Sequence, residues 1–150
     1  MRERAVVVGL GVMIAILCAM ATGNAQVVRP LSEAKALRCI FTLQASGTWV
    51  TNTETKAELT ERQLIVRFTE MNTQDGVAEA EGSDGEISVR LAGDYLHILQ
   101  TLSNGDLYTT TVFNRPSRPG RYRAVQARHQ LADTPEPVRP VQLYGECEVS

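Results

Sequence analysis

The sequence predicts an all-β domain in which an antiparallel meander closes into a small barrel of roughly eight strands. Apolar residues recur with a period of two, Asp-Gly and Asn-Gly pairs separate the alternating runs, and one cysteine lies in the first run and another in the last. A period of two is typical of a strand with one buried face, whereas a helix repeats every ~3.6 residues. A two-sheet β-sandwich is the alternative architecture.

The N-terminus is expected to be a signal peptide that is removed from the folded domain. Two arginines among the first four residues give a positive start, an uncharged apolar run extends from Ala5 to Ala21, and Gly23 and Ala25 provide the small residues of a cleavage site. Cleavage after Ala25 leaves residues 26–36 as a lead-in and 37–150 as a single domain without a membrane span. The alternative is an uncleaved anchor, because the apolar run is close to the shortest membrane span.

Alternation places a strand at each end of the domain. In the first strand Cys39, Phe41 and Leu43 share one face, and in the last Cys147 lies on the apolar face of the run 141–149. Alternation is poor in the strand before the last, which favours a bulge or an edge position there. The strands between the first and the last are predicted at residues 63–70, 76–82, 86–91, 94–102, 106–113 and 120–131.

Short turns and almost no helix are expected around these strands. Asp84-Gly85 and Asn104-Gly105 interrupt alternating runs, and such pairs supply the positive φ angles of tight hairpins. One helical turn capped by Ser32 is predicted ahead of the first strand, and residues 54–62 form either a short helix or a strand with its turn. Consecutive hairpins at this spacing indicate a meander rather than βαβ units.

The cysteines of the mature domain are expected to form a disulfide. Cleavage removes Cys18, for which a lipid anchor is the alternative interpretation, and leaves Cys39 and Cys147 as an even pair in an oxidising compartment. Because both lie on inward faces, their bond makes the first and last strands neighbours, as in a closed barrel. A periplasmic or secreted location follows, and the absence of an Asn-x-Ser/Thr sequon favours a bacterial envelope.

The barrel interior is expected to be packed, without a cavity for a drug-sized ligand, because the inward faces carry bulky aliphatic side chains. Trp49 is expected to join this core as a large aromatic. The inward positions are Phe41, Leu43, Leu64, Val66, Phe68, Ile87, Val89, Leu91, Leu96, Ile98, Val141 and Leu143.

The stretch Ser46-Gly47-Thr48-Trp49 resembles the Gly-x-Trp near the start of lipocalins and avidins. In those families the tryptophan opens the first barrel strand. Here a strand with Cys39 precedes it, no further lipocalin signature follows, and the chain has one tryptophan where a biotin pocket uses several. No family is therefore assigned.

The charge distribution excludes nucleic acid as a general partner. The chain has 15 Lys and Arg against 17 Asp and Glu, whereas nucleic-acid binding needs a strong basic excess. The charge is uneven, since residues 54–106 hold eleven acids and four bases, and residues 114–139 hold six arginines and two acids. Such polarity can steer an incoming partner.

The arginine-rich segment 114–123 is the predicted binding element, a loop stiffened by two prolines. Its guanidinium groups suit carboxylates and phosphates, so the expected partner is an acidic protein or an anionic envelope polymer. The alternative is that the arginines only pair with the acidic strands at 76–86. The predicted binding residues are Arg115, Arg118, Arg121 and Arg123.

No catalytic, metal or cofactor site is indicated. The cysteines are paired, no serine lies in a nucleophile motif, and His97 and His129 are expected on the surface. The protein is therefore predicted not to be an enzyme. The predicted function is that of an exported protein-binding or envelope accessory module, for example an inhibitor. The alternative is a lipocalin-like carrier of a small apolar ligand inside the barrel.

Overall fold

The computed structural model describes residues 30–51, 53–129 and 140–150. The predicted signal peptide, its cleavage site and Cys18 lie outside the described residues. A single 3₁₀ turn, Leu31–Glu33, precedes an all-β meander, so the predicted fold class is confirmed. The strands are β1 (Leu37–Trp49), β2 (Thr55–Asn72), β3 (Val77–Ala80), β4 (Glu86–Ala92), β5 (Tyr95–Thr101), β6 (Leu107–Arg118), β7 (Arg121–His129) and β8 (Val141–Val149).

The sheet closes on itself. Each strand pairs antiparallel with the next, and β8 returns to pair with β1, which gives a barrel rather than a two-sheet sandwich. Cys39 lies opposite Cys147 in this last pairing, and the predicted disulfide between them is confirmed. The backbone pairing of β1 with β8 closes the barrel, and the disulfide crosslinks the same two strands on their inward side.

The two ends of the barrel differ. The end that carries the 3₁₀ turn, here called the lead-in end, is plugged by Leu31 and Ala34, which are buried with Met71. The Met71 N–H donates to the Lys35 carbonyl at 2.9 Å, which fixes the lead-in against β2. The predicted cap is wrong, because Pro30 holds the N-cap position and no side chain caps this turn.

The first correction to the predicted faces concerns β1. Phe41 lies opposite Gly145 and Leu43 opposite Tyr144, so Thr42 is an extra residue and forms a bulge. The bulge reverses the alternation, and Leu43 is exposed instead of buried. The predicted inward position of Leu43 is therefore wrong.

Leu91 lies on the predicted inward face, opposite Leu96, but it is exposed instead of buried. It lies just before the β4–β5 turn at the lead-in end, where the barrel wall stops. Strand β7 is regular and paired on both sides, so it is not an edge, and the irregularity lies in β6 between Val112 and Pro116.

The hairpin of β1 and β2 extends beyond the barrel. Pairing of β1 with β8 ends at Ser46, whereas pairing with β2 continues to Trp49 opposite Thr55. Residues 43–49 and 55–61 are here called the arm, and the barrel end that carries them is called the arm end. Trp49 is 53% exposed, so its predicted place in the core is wrong, because no inner layer exists beyond the rim. Residues 54–62, left open between helix and strand, belong almost entirely to β2.

Candidate functional site

The arm presents an apolar surface to solvent. After the bulge, the outward positions of β1 are Leu43, Ala45 and Trp49, and Ala45 lies directly opposite Leu59 of β2. Leu59 is 71% exposed, the largest exposure among the big hydrophobic side chains of the described residues. Together with Tyr144, which lies opposite Leu43 on β8, these residues form the apolar outer face, which also carries Glu61 opposite Leu43 and Thr55 opposite Trp49. Isolated exposed apolar residues are ordinary, but a contiguous group marks an interaction site.

The opposite face of the arm is polar. Gln44 lies opposite Thr60, and Thr48 opposite Lys56, on the side that continues the barrel interior. The Arg62 Nη1 donates to the Gln44 Oε1 at 3.1 Å across this side. The arm is therefore amphipathic. Its apolar face points away from the barrel axis, whereas the apolar face of a core hairpin points toward it.

Strand β2 also has a free edge. Its pairing with β3 covers only Phe68 to Asn72, so the part from Thr55 to Val66 has β1 as its one strand partner among the described residues. The Arg67 carbonyl accepts from the Glu81 N–H at 3.1 Å, the last bond on that side. Because backbone groups alternate in direction, Ile65 presents its N–H and C=O to the same side, where no described residue pairs with them.

The free edge carries charge, which limits unspecific pairing. Lys56, Glu58, Glu61 and Arg62 are all exposed along this part of β2. Charged side chains on an edge strand are a common protection against sheet-to-sheet association. The exposed edge is therefore compatible with a protein that stays dispersed until it meets a matching strand.

The predicted arginine site lies at the other end of the barrel. Its segment is not a loop, because β6 continues to Arg118 and β7 begins at Arg121. The Arg118 Nη2 lies 2.7 Å from a Glu146 oxygen, the Arg121 Nη2 3.3 Å from Glu148, and the Arg115 Nη2 3.4 Å from Asp94. Within the described residues no such partner lies beside Arg123.

The arginines therefore do not pair with the acidic strands at 76–86, as the alternative expected. From that segment Glu81 pairs with Arg67 instead, at 2.8 Å. The acids that neutralise Arg118 and Arg121 come from β8. Because β8 is distant from both arginines in the sequence, local spacing does not predict these ion pairs. The pKa of Glu146 is lowered by the hydrogen bond from the Ser117 hydroxyl and by that from Arg118, so this carboxylate is held in its charged form.

The barrel interior divides into two halves. Aliphatic and aromatic residues fill the lead-in half, but at the arm end a cavity of about 310 Å³ remains. The prediction of a packed interior is therefore wrong for the arm-end half. The inward positions near the arm end carry polar side chains: Gln100, Tyr108, Thr110, Gln126 and Arg128.

A chain of hydrogen bonds orders these polar groups. Gln126 is fully buried, and its Nε2 donates to the Thr110 Oγ1 at 2.8 Å. Its Oε1 accepts from the Arg128 Nε at 2.8 Å, and the Arg128 guanidinium lies 4.6 Å above the centre of the Tyr108 ring. Burial lowers the pKa of Arg128 from its ordinary value, against a smaller opposing effect of Tyr108, and the positive Arg62 lowers it further.

The alternation of β5 contained a signal for this cavity. Gln100 continues the inward series of Leu96 and Ile98, and its Nε2 donates to the Ser83 Oγ at 2.6 Å. A polar residue at an inward position marks either a hydrogen-bonded interior or a ligand site. The interior positions of β6 and β7 carry the same signal in Thr110 and Gln126.

The histidines do not form a site with other ligands. His97 lies on the outer face of β5, stacks on Tyr95 at 5.8 Å and shares a hydrogen bond with Thr111. In the part of the chain that the structure describes, no group of three metal-binding side chains comes together. No helix in that part is long and apolar enough to cross a membrane.

Comparison of the chain with protein-family models, with curated proteins and with solved structures finds no match. Its function has to be inferred from its own residues. Within the described chain, the arm combines an apolar outer face with a free strand edge, and the fold itself uses neither.

Proposed function

We propose that the protein is an exported binding module that takes up an extended segment of a partner protein on the arm. The observation that carries this proposal is the combination, in one hairpin, of an apolar outer face and an unpaired strand edge. Each feature alone is a liability in a free protein. Their combination on one rigid hairpin is what strand addition requires.

In this mode the partner segment lies beside β2 and extends the sheet. Its main chain bonds to the free N–H and C=O groups between Thr55 and Val66, which gives affinity without regard to sequence. Every second side chain of the segment then lies over the outer face, against Leu59 and Ile65. The preferred partner strand is apolar on alternate residues and carries charges that complement Lys56 and Glu58.

The disulfide supports both the location and the mode of binding. A bond between Cys39 and Cys147 fits an oxidising compartment, and we place the protein in the periplasm or outside the cell. The bond lies at the base of β1, so it fixes the strand from which the arm projects. A preordered arm loses little conformational entropy on binding, which raises affinity.

A role as an inhibitor or as an envelope accessory follows from the same mode, since both require a rigid surface that captures an extended segment. An apolar-ligand carrier is less well supported, because the arm-end cavity is lined by Gln100, Gln126 and Arg128 as well as by aliphatic residues. We propose no enzymatic activity.

The arm can be tested by site-specific crosslinking. A photoreactive phenylalanine analogue at Leu59 is compared with the same analogue at Leu99, which is also an exposed leucine but lies on the outer face of the fully paired β5. The oxidised protein is incubated with an envelope extract and irradiated. A specific crosslinked band at position 59 and none at 99 supports the proposal.

The second part of the experiment tests whether capture of the crosslinked protein depends on the apolar outer face. Leu59→Glu is expected to abolish capture of that band, whereas Leu99→Glu leaves it unchanged. Ile65→Pro removes one free edge N–H and is expected to weaken capture, with Ile65→Val as its control. Equal crosslinking at positions 59 and 99, or capture that survives Leu59→Glu, would contradict the proposal.

A further inference from the structure

We infer that the cavity at the arm end is a binding site for a small organic monocarboxylate, whose carboxylate is held by the Arg128 guanidinium. This site is separate from the apolar outer face of the arm and does not depend on the proposed function. The inference rests on an arginine that is ordered and half-buried and forms no ion pair within the described residues, beside an apolar wall of suitable size.

Within the described residues, the donors of Arg128 are only partly used. Its Nε donates to Gln126, and one face of the guanidinium covers Tyr108. No hydrogen bond or ion pair is formed by its Nη1 and Nη2 within the described residues, and neither atom is a buried donor without a partner. Arg128 lines the cavity, and the paired Nη1 and Nη2 of a guanidinium match the two oxygens of a carboxylate.

The surroundings of Arg128 favour an anion. Half-buried charges in proteins are usually paired, because the lost hydration must be replaced. Here one of the groups that lower the pKa of Arg128 is Arg62, a second cation. A negative ligand beside Arg128 reduces this repulsion and supplies hydrogen-bond acceptors together.

The orientation of Arg128 is fixed before any ligand arrives. Gln126 is fully buried and bonded to Thr110, and it holds the guanidinium through its Oε1. Stacking on Tyr108 restricts the remaining rotation. An arginine arranged in this way has lost its side-chain entropy already, which is how a binding site gains affinity for a small ligand.

The rest of the lining defines the ligand class. Leu64, Val66 and Leu102 provide an apolar wall for a short hydrocarbon body. Glu81 and Asp84 line the outer part of the cavity and disfavour a second negative charge on the ligand. A volume of about 310 Å³ is near the lower limit of ligand sites, so the ligand is small.

The test uses hexanoate as the probe and hexanamide as its neutral analogue, with binding to the oxidised protein measured by calorimetry. Hexanoate is expected to bind with one site per chain, and hexanamide about tenfold or more weakly. Arg128→Gln is expected to reduce hexanoate affinity by about tenfold or more. Arg90→Gln, which removes an exposed arginine from the outer face of β4, is expected to have no effect.

A spectroscopic measurement keeps the inference testable if Arg128→Gln does not fold. Addition of hexanoate to the unmodified protein is expected to shift the amide resonances of Leu102, Gln126 and Arg128 in a saturable manner. Leu59→Glu is expected to leave these shifts unchanged, which separates this site from the arm. Equal affinity for hexanoate and hexanamide, or no saturable shift up to about 10 mM, overturns the inference.

Discussion

Cys39 of β1 lies directly opposite Cys147 of β8, with their Cα atoms 3.9 Å apart, so the disulfide joins the two strands at which the barrel closes. The bond spans a sequence separation of 108 residues, nearly the whole described domain. It therefore limits the unfolded chain more than a local crosslink does.

Reduction of this bond is expected to destabilise the domain strongly. In the chain-entropy model a loop of this length contributes on the order of 4–5 kcal/mol to the free energy of unfolding, and native bridges in small exported domains typically give about 2–5 kcal/mol. Urea unfolding of the oxidised and reduced protein measures the difference. A double variant, Cys39→Ser with Cys147→Ser, should match the reduced protein and show no response to reductant. Equal stability of the oxidised and reduced protein would show that the bond does not hold the barrel closed.

The bulge in β1 depends on a glycine of the neighbouring strand. A Cβ at position 145 would overlap the Ile40 carbonyl oxygen and the Phe41 Cα, which are backbone atoms that cannot rotate away. Gly145→Ala is therefore expected to lower the free energy of unfolding by about 1–3 kcal/mol. Gly47→Ala is the control, because the nearest atom to its added Cβ is Pro140 Cγ at 3.8 Å. Similar losses for both variants would mean that position 145 has no special role in the bulge.

The fold could be predicted because two of its determinants are visible in the sequence. Alternation in each strand indicates which face is buried, and the two cysteines link the first strand to the last. The bulge in β1 could not be predicted from the sequence, since Cys39, Phe41 and Leu43 alternate there without interruption. In the structure the interruption lies at Thr42, next to the close approach of Gly145 from β8, and alternation within β1 contains no information on that contact.

The arm and the cavity were missed for two different reasons. The place where a strand leaves the barrel depends on how far its neighbours extend, and β8 pairs with β1 only to Ser46. The cavity depends on inward polar residues such as Gln126, which in a sequence look like members of an outward face. The ion pairs of Arg118 and Arg121 likewise involve β8, which is distant in the sequence.

The single tryptophan provides a direct measurement of the arm. Because Trp49 is 53% exposed on the outer face, its fluorescence in the native protein is expected to be red-shifted and readily quenched by acrylamide. Trp49→Ser is expected to change the free energy of unfolding by no more than about 0.5 kcal/mol, as for other surface substitutions. A blue-shifted, protected native emission would show that the side chain is buried. Binding of the partner segment should reduce the quenching.

The Ser117 hydroxyl contributes to the stability of the barrel at neutral pH. It donates to a Glu146 oxygen at 2.6 Å and lowers the pKa of that carboxyl below its ordinary value. A carboxyl with a lowered folded-state pKa stabilises the fold above its unfolded pKa, and this contribution is lost as the pH falls through the folded value. Ser117→Ala is expected to be less stable than the unmodified protein at neutral pH and equal to it at strongly acidic pH. A difference that stays constant over this range would exclude the linkage.

The arginines at the lead-in end remain a predicted contact for an acidic partner or an anionic envelope polymer. Three of them already have carboxylate neighbours, but the Arg115 side chain is 84% exposed, and exposed ion pairs are weak enough to exchange partners. Replacement of Arg115, Arg118, Arg121 and Arg123 by Gln is expected to abolish binding of polyglutamate at low salt. The binding of the unmodified protein should itself weaken as salt increases, because exposed charges are screened beyond about 8 Å at physiological ionic strength.

The control is a second quadruple variant in which arginines of other strands, Arg38, Arg62, Arg67 and Arg90, become Gln, since it changes the net charge by the same amount. Equal loss in both variants would mean that net charge alone attracts the polymer, and unchanged binding in the first would remove the lead-in arginines from any role in recognition.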